Sequence, residues 1–188
     1  GYLLRSRRDF GAGVLADRLG RERAASWLGT PLTLAYRLQR GVLIGWSVAM
    51  ILTGLTLGAF TQSMADVADT LPEELLAVMG GDGAAEAFVD GYLGFMSVYF
   101  GVILAVFAIL AVQSLRVQET EGHTESVLST AVGRVQWVLS WVTVTGLGAL
   151  WLAALAGLGE AVGAVLVTGD WSLVGPTLLG HTVQFSVV

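Results

Sequence analysis

The chain of 188 residues contains no cysteine and no lysine. Without cysteine there are no disulfides, no thiolate catalysis and no Cys-ligated metals. Without lysine there is no Walker A phosphate loop, which needs that residue at a fixed place, so ATP is not bound here by that route. Proline is scarce, with three residues, and only 13% of residues are charged, where about 25% is usual in a soluble domain. A hydrophobic share of 54% and a mean hydropathy of +0.70 make this the composition of a membrane protein.

The few charges sort by position. All ten basic residues are arginines, and eight (Arg5, Arg7, Arg8, Arg18, Arg21, Arg23, Arg37, Arg40) precede the first long apolar run. Arg116 and Arg134 lie between the second and third runs. Segment 61–91 holds seven acids (Asp66, Asp69, Glu73, Glu74, Asp82, Glu86, Asp90) and no base. Basic and base-free loops that alternate between apolar spans follow the positive-inside rule. That rule places 5–40 and 114–135 in the cytoplasm and 61–91 outside. The net charge of −5 is then divided between two compartments. Topology accounts for the basic start, so nucleic acid is not an expected partner.

The sequence divides accordingly. Residues 1–4 read as the end of a preceding membrane helix and 5–29 as a cytoplasmic linker. Thr30 and Pro31 form a helix start, and 30–40 reads as a short interfacial helix. Its Thr33, Arg37 and Arg40 share a stripe that can face lipid phosphates, or water if the helix is merely solvated. A membrane helix at 41–60 has about the 20 apolar positions required and carries two small-xxx-small spacings, Gly41/Gly45 and Gly54/Gly58. The outer loop 61–91 is expected to hold short helices. One is opened by a capping box at Thr70 and Glu73 and runs to about Met79; another spans about Ala84 to Val89.

A second span is expected at 92–113, a cytoplasmic loop at 114–135, and a third span at 136–157 continuing toward the outer face. Trp137 and Trp141 mark its inner interface and Trp171 the outer one. Gly157, Gly159 and Gly163 are then expected to loosen the helix into the outer segment 158–177, and 178–188 begins a further span. The expectation is a longer polytopic protein.

Little chemistry is on offer. The segments 41–60, 92–113 and 136–157 contain no Asp, Glu, Arg or His. At membrane depth such a charge costs about 2.5–3.5 kcal/mol and marks function. Their Ser47, Thr53, Thr56, Ser97, Tyr99, Ser140, Thr143 and Thr145 read as passive, which argues against proton-coupled transport in these segments. Glu73 and Glu74 suit the first turn of a helix better than an intramembrane protease motif, since no arginine follows until Arg116. His123 and His181 fall on opposite faces and do not suggest a shared metal site. No catalytic residue stands out.

The loop after the second span can form a short helix over about 119–129, with Glu121, Glu125 and Leu128 along one side. By pattern alone it is either a solvated connection or a docking surface. Its Glu119, Gly122, Glu125, Leu128, Thr130, Val132, Arg134 and Trp137 resemble the corresponding stretch of ATP-binding-cassette exporter permeases of the ABC-2 type. The similar group is the actinobacterial exporters of polyketide antibiotics, the tetronasin-resistance kind. The run from Arg8 to Gly13, Pro31-Leu32, the run from Arg37 to Gly41, and Gly45-Trp46 resemble that group's junction between halves. Two positions depart: Ala131 stands where proline is common, and His123 where arginine is common.

The resemblance implies an all-α polytopic membrane protein with an interfacial elbow helix bearing Arg37 and Arg40. It implies a coupling helix in the loop 114–135, where Glu119, Glu121, Gly122, His123, Glu125, Leu128 and Arg134 would contact a separate ATPase subunit, a homodimer. ATP and Mg would sit on that subunit, with no cofactor and no catalysis on this chain. The setting would be a bacterial plasma membrane, the partners its lipid bilayer and a hydrophobic drug or antibiotic. The alternatives are an ion-coupled secondary carrier and a membrane scaffold without transport.

Overall fold

The computed structural model describes residues 28–72, 74–75, 78, 84–120 and 132–184. Among these residues the bounded α-helices are α1 (Pro31–Ala59), α2 (Thr61–Asp69), α3 (Ala84–Thr120), α4 (Arg134–Thr168) and α5 (Val174–Gln184), with a 3-10 turn at Trp171–Leu173 before α5. No strand occurs among the described residues. Among the described residues, three helices are long and apolar enough to cross a membrane: α1 continuing into α2, α3, and α4. The fold is that of an all-α polytopic membrane protein.

The start of α1 follows its sequence. The Thr30 side chain accepts the Thr33 amide, and the Thr33 hydroxyl in turn accepts the Thr30 amide. Pro31 fills the position where a missing N–H has no consequence. The expected elbow helix (30–40) and span (41–60) lie on one helix, since α1 runs unbroken for 29 residues. Its buried residues Ala35, Gln39, Met50, Gly54 and Gly58 form one stripe at helical spacing. That stripe rests on α4 from end to end. Ala35 packs with Trp137, Trp141 and Val144, so the first turns are held in line with the rest.

The outer segment also differs from expectation. Thr70 ends α2, and its hydroxyl donates to the Val67 carbonyl, while Glu74, Leu75 and Val78 within the expected short helix are helical. Glu73, the other half of the expected capping box, lies outside the described residues. The turn expected near Ala84 and the second span are one helix of 37 residues. The third span likewise continues past Gly157 to Thr168. It ends at Gly169, whose φ of 73° needs glycine and whose amide donates to the Val165 carbonyl.

The helix α4 is the most enclosed of the three. Met50 of α1, Phe100, Leu104 and Phe107 of α3, and Ala149, Leu152, Ala153 and Ala156 of α4 form the main core. Helices α1 and α4 run parallel, as first and third spans should. Gln39 meets Thr145, Ser47 meets Trp151, and Gly54 meets Ala156. Lipid is as apolar as leucine, so such a contact depends on close packing by small residues. A Cβ on Gly54 would sit 2.6 Å from the Ala156 carbonyl oxygen, and one on Gly159 would sit 2.8 Å from that of Ile51. Cβ atoms on Gly58 and Gly163 would collide with the Glu160 and Leu55 carbonyl oxygens. The Gly54/Gly58 pair therefore interlocks with Gly159/Gly163. Gly41 and Gly45, identical in spacing, face open space. Of the three glycines expected to loosen α4, Gly159 and Gly163 bring it against α1.

Candidate functional site

Two places hold charge where the fold constrains it. The first is the junction of α3 and α4 at the arginine-bearing end. Arg116 is exposed on the last turns of α3, and Arg134 opens α4 behind Gly133. Glu119 and Arg134 lie 3.5 Å apart, with side-chain exposures of 33% and 73%. A pair so exposed contributes no more than about 1 kcal/mol. Its consequence is geometric: it draws together the two ends of the intervening loop. Glu121, Gly122, His123, Glu125 and Leu128 of the expected coupling surface lie outside the described residues, as does Ala131. Arg37 and Arg40 are exposed on α1, at the same end of the bundle, since Ala35 packs against Trp137.

The second place was not legible as a site. Glu160 of α4 and His181 of α5 are both buried, at 0% and 2% exposure. Imidazole Nε2 stands 3.0 Å from carboxylate Oε2. The pair is off line for a hydrogen bond, and neither Glu160 oxygen has one among the described residues. Nδ1 of His181 lies 3.2 Å from the Thr177 carbonyl oxygen and 3.1 Å from Ser97 Oγ. A carbonyl only accepts, so these partners assign the Nδ1 hydrogen. Phe100 covers the ring at a centroid distance of 5.1 Å.

Glycines let the imidazole in. A Cβ on Gly157 would lie 3.1 Å from His181 Cβ, and one on Gly180 would lie 2.9 Å from Ser97 Oγ. The helix α5 thus enters between α3 and α4 through two missing side chains. The expectation of passive hydroxyls also changes at three positions. Ser97 faces His181, Thr145 donates to Gln39 Oε1 at 3.1 Å, and Ser47 accepts from Trp151 Nε1 at 3.1 Å. Segment 136–157 stops three residues short of Glu160, so the apolar run looked free of carboxylates while the helix itself is not.

At the opposite, acidic end, Asp69, Asp90 and Asp170 line a cavity of about 530 Å³ between α2, α3 and the start of α5. Asp170 accepts the Ser172 amide at 2.8 Å and caps the 3-10 turn. Hydrogen bonds from Ser172 hold its carboxyl below the usual carboxylate range.

Comparison with known proteins agrees with this architecture. Residues 28–188 match the family described as "Multidrug efflux system permease Rv1217c, C-terminal domain". The chain is 32% identical over 181 residues, 95% of its length, to the "Multidrug efflux system permease protein Rv1217c" of Mycobacterium tuberculosis (strain ATCC 25618 / H37Rv). It spans about a third of that relative, 32%. From Leu28 onward, through every described helix, this chain belongs to the multidrug efflux permease family defined by the Rv1217c C-terminal domain.

Proposed function

We propose that the chain is part of the transmembrane subunit of an ATP-driven ABC-2 type exporter of hydrophobic drugs or antibiotics, of the tetronasin-resistance kind. Its setting is a bacterial plasma membrane with the arginine-bearing end in the cytoplasm. The carrying observation is family membership in a chain whose α3 and α4 present one loop at that end, tied at its base by Glu119 and Arg134. A separate ATPase homodimer holds ATP and Mg and docks on this loop. Its closure is transmitted along α3 and α4 to the spans. Leu128 is the apolar anchor, and Glu121 and Glu125, one turn apart, meet basic residues of the ATPase.

Removing a buried interface anchor typically costs about 2 kcal/mol or more, so Leu128→Ala and Glu125→Arg should each weaken ATPase capture by about thirty-fold. Glu86→Arg, in the acidic segment, should leave it unchanged. Capture by the Leu128→Ala, Glu125→Arg double variant at the wild-type level would make the loop a plain connector.

A second reading, an ion-coupled carrier, is favoured by one observation: two titratable groups, Glu160 and His181, are buried together inside the bundle with Nε2 3.0 Å from Oε2. On that reading Glu160→Gln abolishes export driven by a proton gradient. On the ATP-driven reading the pair is structural, and export by the folded Glu160→Gln variant continues.

A further inference from the structure

A groove of about 740 Å³ runs along the outside of the α1–α4 contact, from Leu32 to Ile51 on one wall and from Val144 to Trp151 on the other. Its polar groups divide sharply. Toward the Ile51 end, the Ser47 hydroxyl donates to the Leu43 carbonyl at 2.7 Å and accepts from Trp151 Nε1. At the first turn, Thr33 is engaged with Thr30. The Tyr36 hydroxyl and the Arg40 guanidinium, both exposed, have no partner among the described residues. From Arg40 to Ile51 the groove is therefore apolar apart from this satisfied hydroxyl, with one positive charge that has no partner among the described residues and no carboxylate in its described lining.

Depth identifies the ligand. Arg40 and Ile51 are eleven helical positions apart, or about 16 Å at about 1.5 Å per residue. That is half of a hydrocarbon core about 30 Å thick, the reach of one acyl chain within one leaflet. Ile44, Val48 and Leu147 leave the groove open along its side, so the membrane itself can fill it. We propose that the groove is a binding site for an anionic phospholipid of the leaflet at the arginine-bearing face. The phosphate sits on Arg40, with the Tyr36 hydroxyl donating to it, and one acyl chain lies against α1 and α4 down to Ile51. A zwitterionic lipid would bring its ammonium beside the guanidinium with no carboxylate to receive it. The site depends on the membrane fold alone and is the same for an ATP-driven or an ion-coupled permease.

The test uses the full-length permease in lipid nanodiscs, with spin-labelled phosphatidylglycerol and phosphatidylcholine as probes of immobilised lipid. Wild type should hold phosphatidylglycerol in preference. Arg40→Gln should cut that preference about five-fold, the worth of one basic side chain against an anionic surface, while Arg40→Lys keeps most of it. Leu147→Trp, which fills the groove and spares its charged end, should lower retention of both lipids. Melting temperatures at the wild-type value establish that each variant is folded. Equal retention of the two lipids by wild type, or an unchanged preference in Arg40→Gln, would overturn the site. Displacement of phosphatidylglycerol by an equimolar anionic export substrate would reassign the groove to the transported compound.

Discussion

Glu160 sits where α4 meets α1 and α5: its backbone carbonyl lies against Gly58 and its carboxylate against His181. Removing one member of a buried pair leaves the other uncompensated, at a cost of about 3–5 kcal/mol, while replacing both with apolar residues is often neutral. Glu160→Ala should therefore lower the stability of the full-length permease by about 3 kcal/mol, and Glu160→Leu with His181→Leu should recover most of it, both read by thermal unfolding. Equal losses in the single and double variants would make the pair energetically silent. Asp170 gives a milder test. Its carboxyl is held low by Ser172, so its stabilising contribution is complete above the ordinary carboxylate range and lost as pH falls through the depressed value. Hydrogen-exchange protection of the Ser172 amide should drop over that window, and Asp170→Asn should remove the dependence. Glu160 was visible in the sequence as the one carboxylate between Arg134 and Asp170. Its neighbours Gly157, Gly159 and Gly163 concealed it, because they read as a helix ending. His181, 21 positions later on another helix, could not be paired with it by spacing.

Glycine spacing on the helices shows what a pattern can and cannot say. Gly41/Gly45 and Gly54/Gly58 are the same motif in sequence, yet only the second has a backbone against it. Gly58→Val should force α1 off α4, at a cost of about 1–3 kcal/mol or more from overpacking, and lower the yield of folded permease. Gly41→Ala and Gly45→Ala should be neutral or should stabilise the protein by about 0.5–1 kcal/mol, since each replaces a mobile backbone position with a helix former. A folded Gly58→Val variant with wild-type melting would contradict the interlocked contact. The helix types, the Thr30 cap and the apolar spans were legible, since composition and local hydrogen bonding decide them. Helix lengths were not. The unbroken α1 depends on Ala35 meeting Trp137, about a hundred residues away, and that contact has no local signal.

Over the whole molecule, the proposed topology puts the arginine-bearing end of the bundle and the end holding Asp69, Asp90 and Asp170 in different compartments. In this cysteine-free chain, a single cysteine at Asp69 should react with a membrane-impermeant thiol reagent in intact cells. One at Ser126 should react only after permeabilisation. The reverse pattern would invert the topology and place the 114–135 loop beyond reach of any cytoplasmic ATPase.

The energy source is the most direct test of the proposed function. Full-length permease and its ATPase, reconstituted together in vesicles, should accumulate a hydrophobic export substrate when ATP is supplied. That accumulation should stop when the ATPase is omitted and persist when the proton gradient is collapsed. Transport that proceeds on a proton gradient without ATP, and is lost in a folded Glu160→Gln variant, would contradict an ATP-driven permease and make the buried Glu160–His181 pair the coupling site.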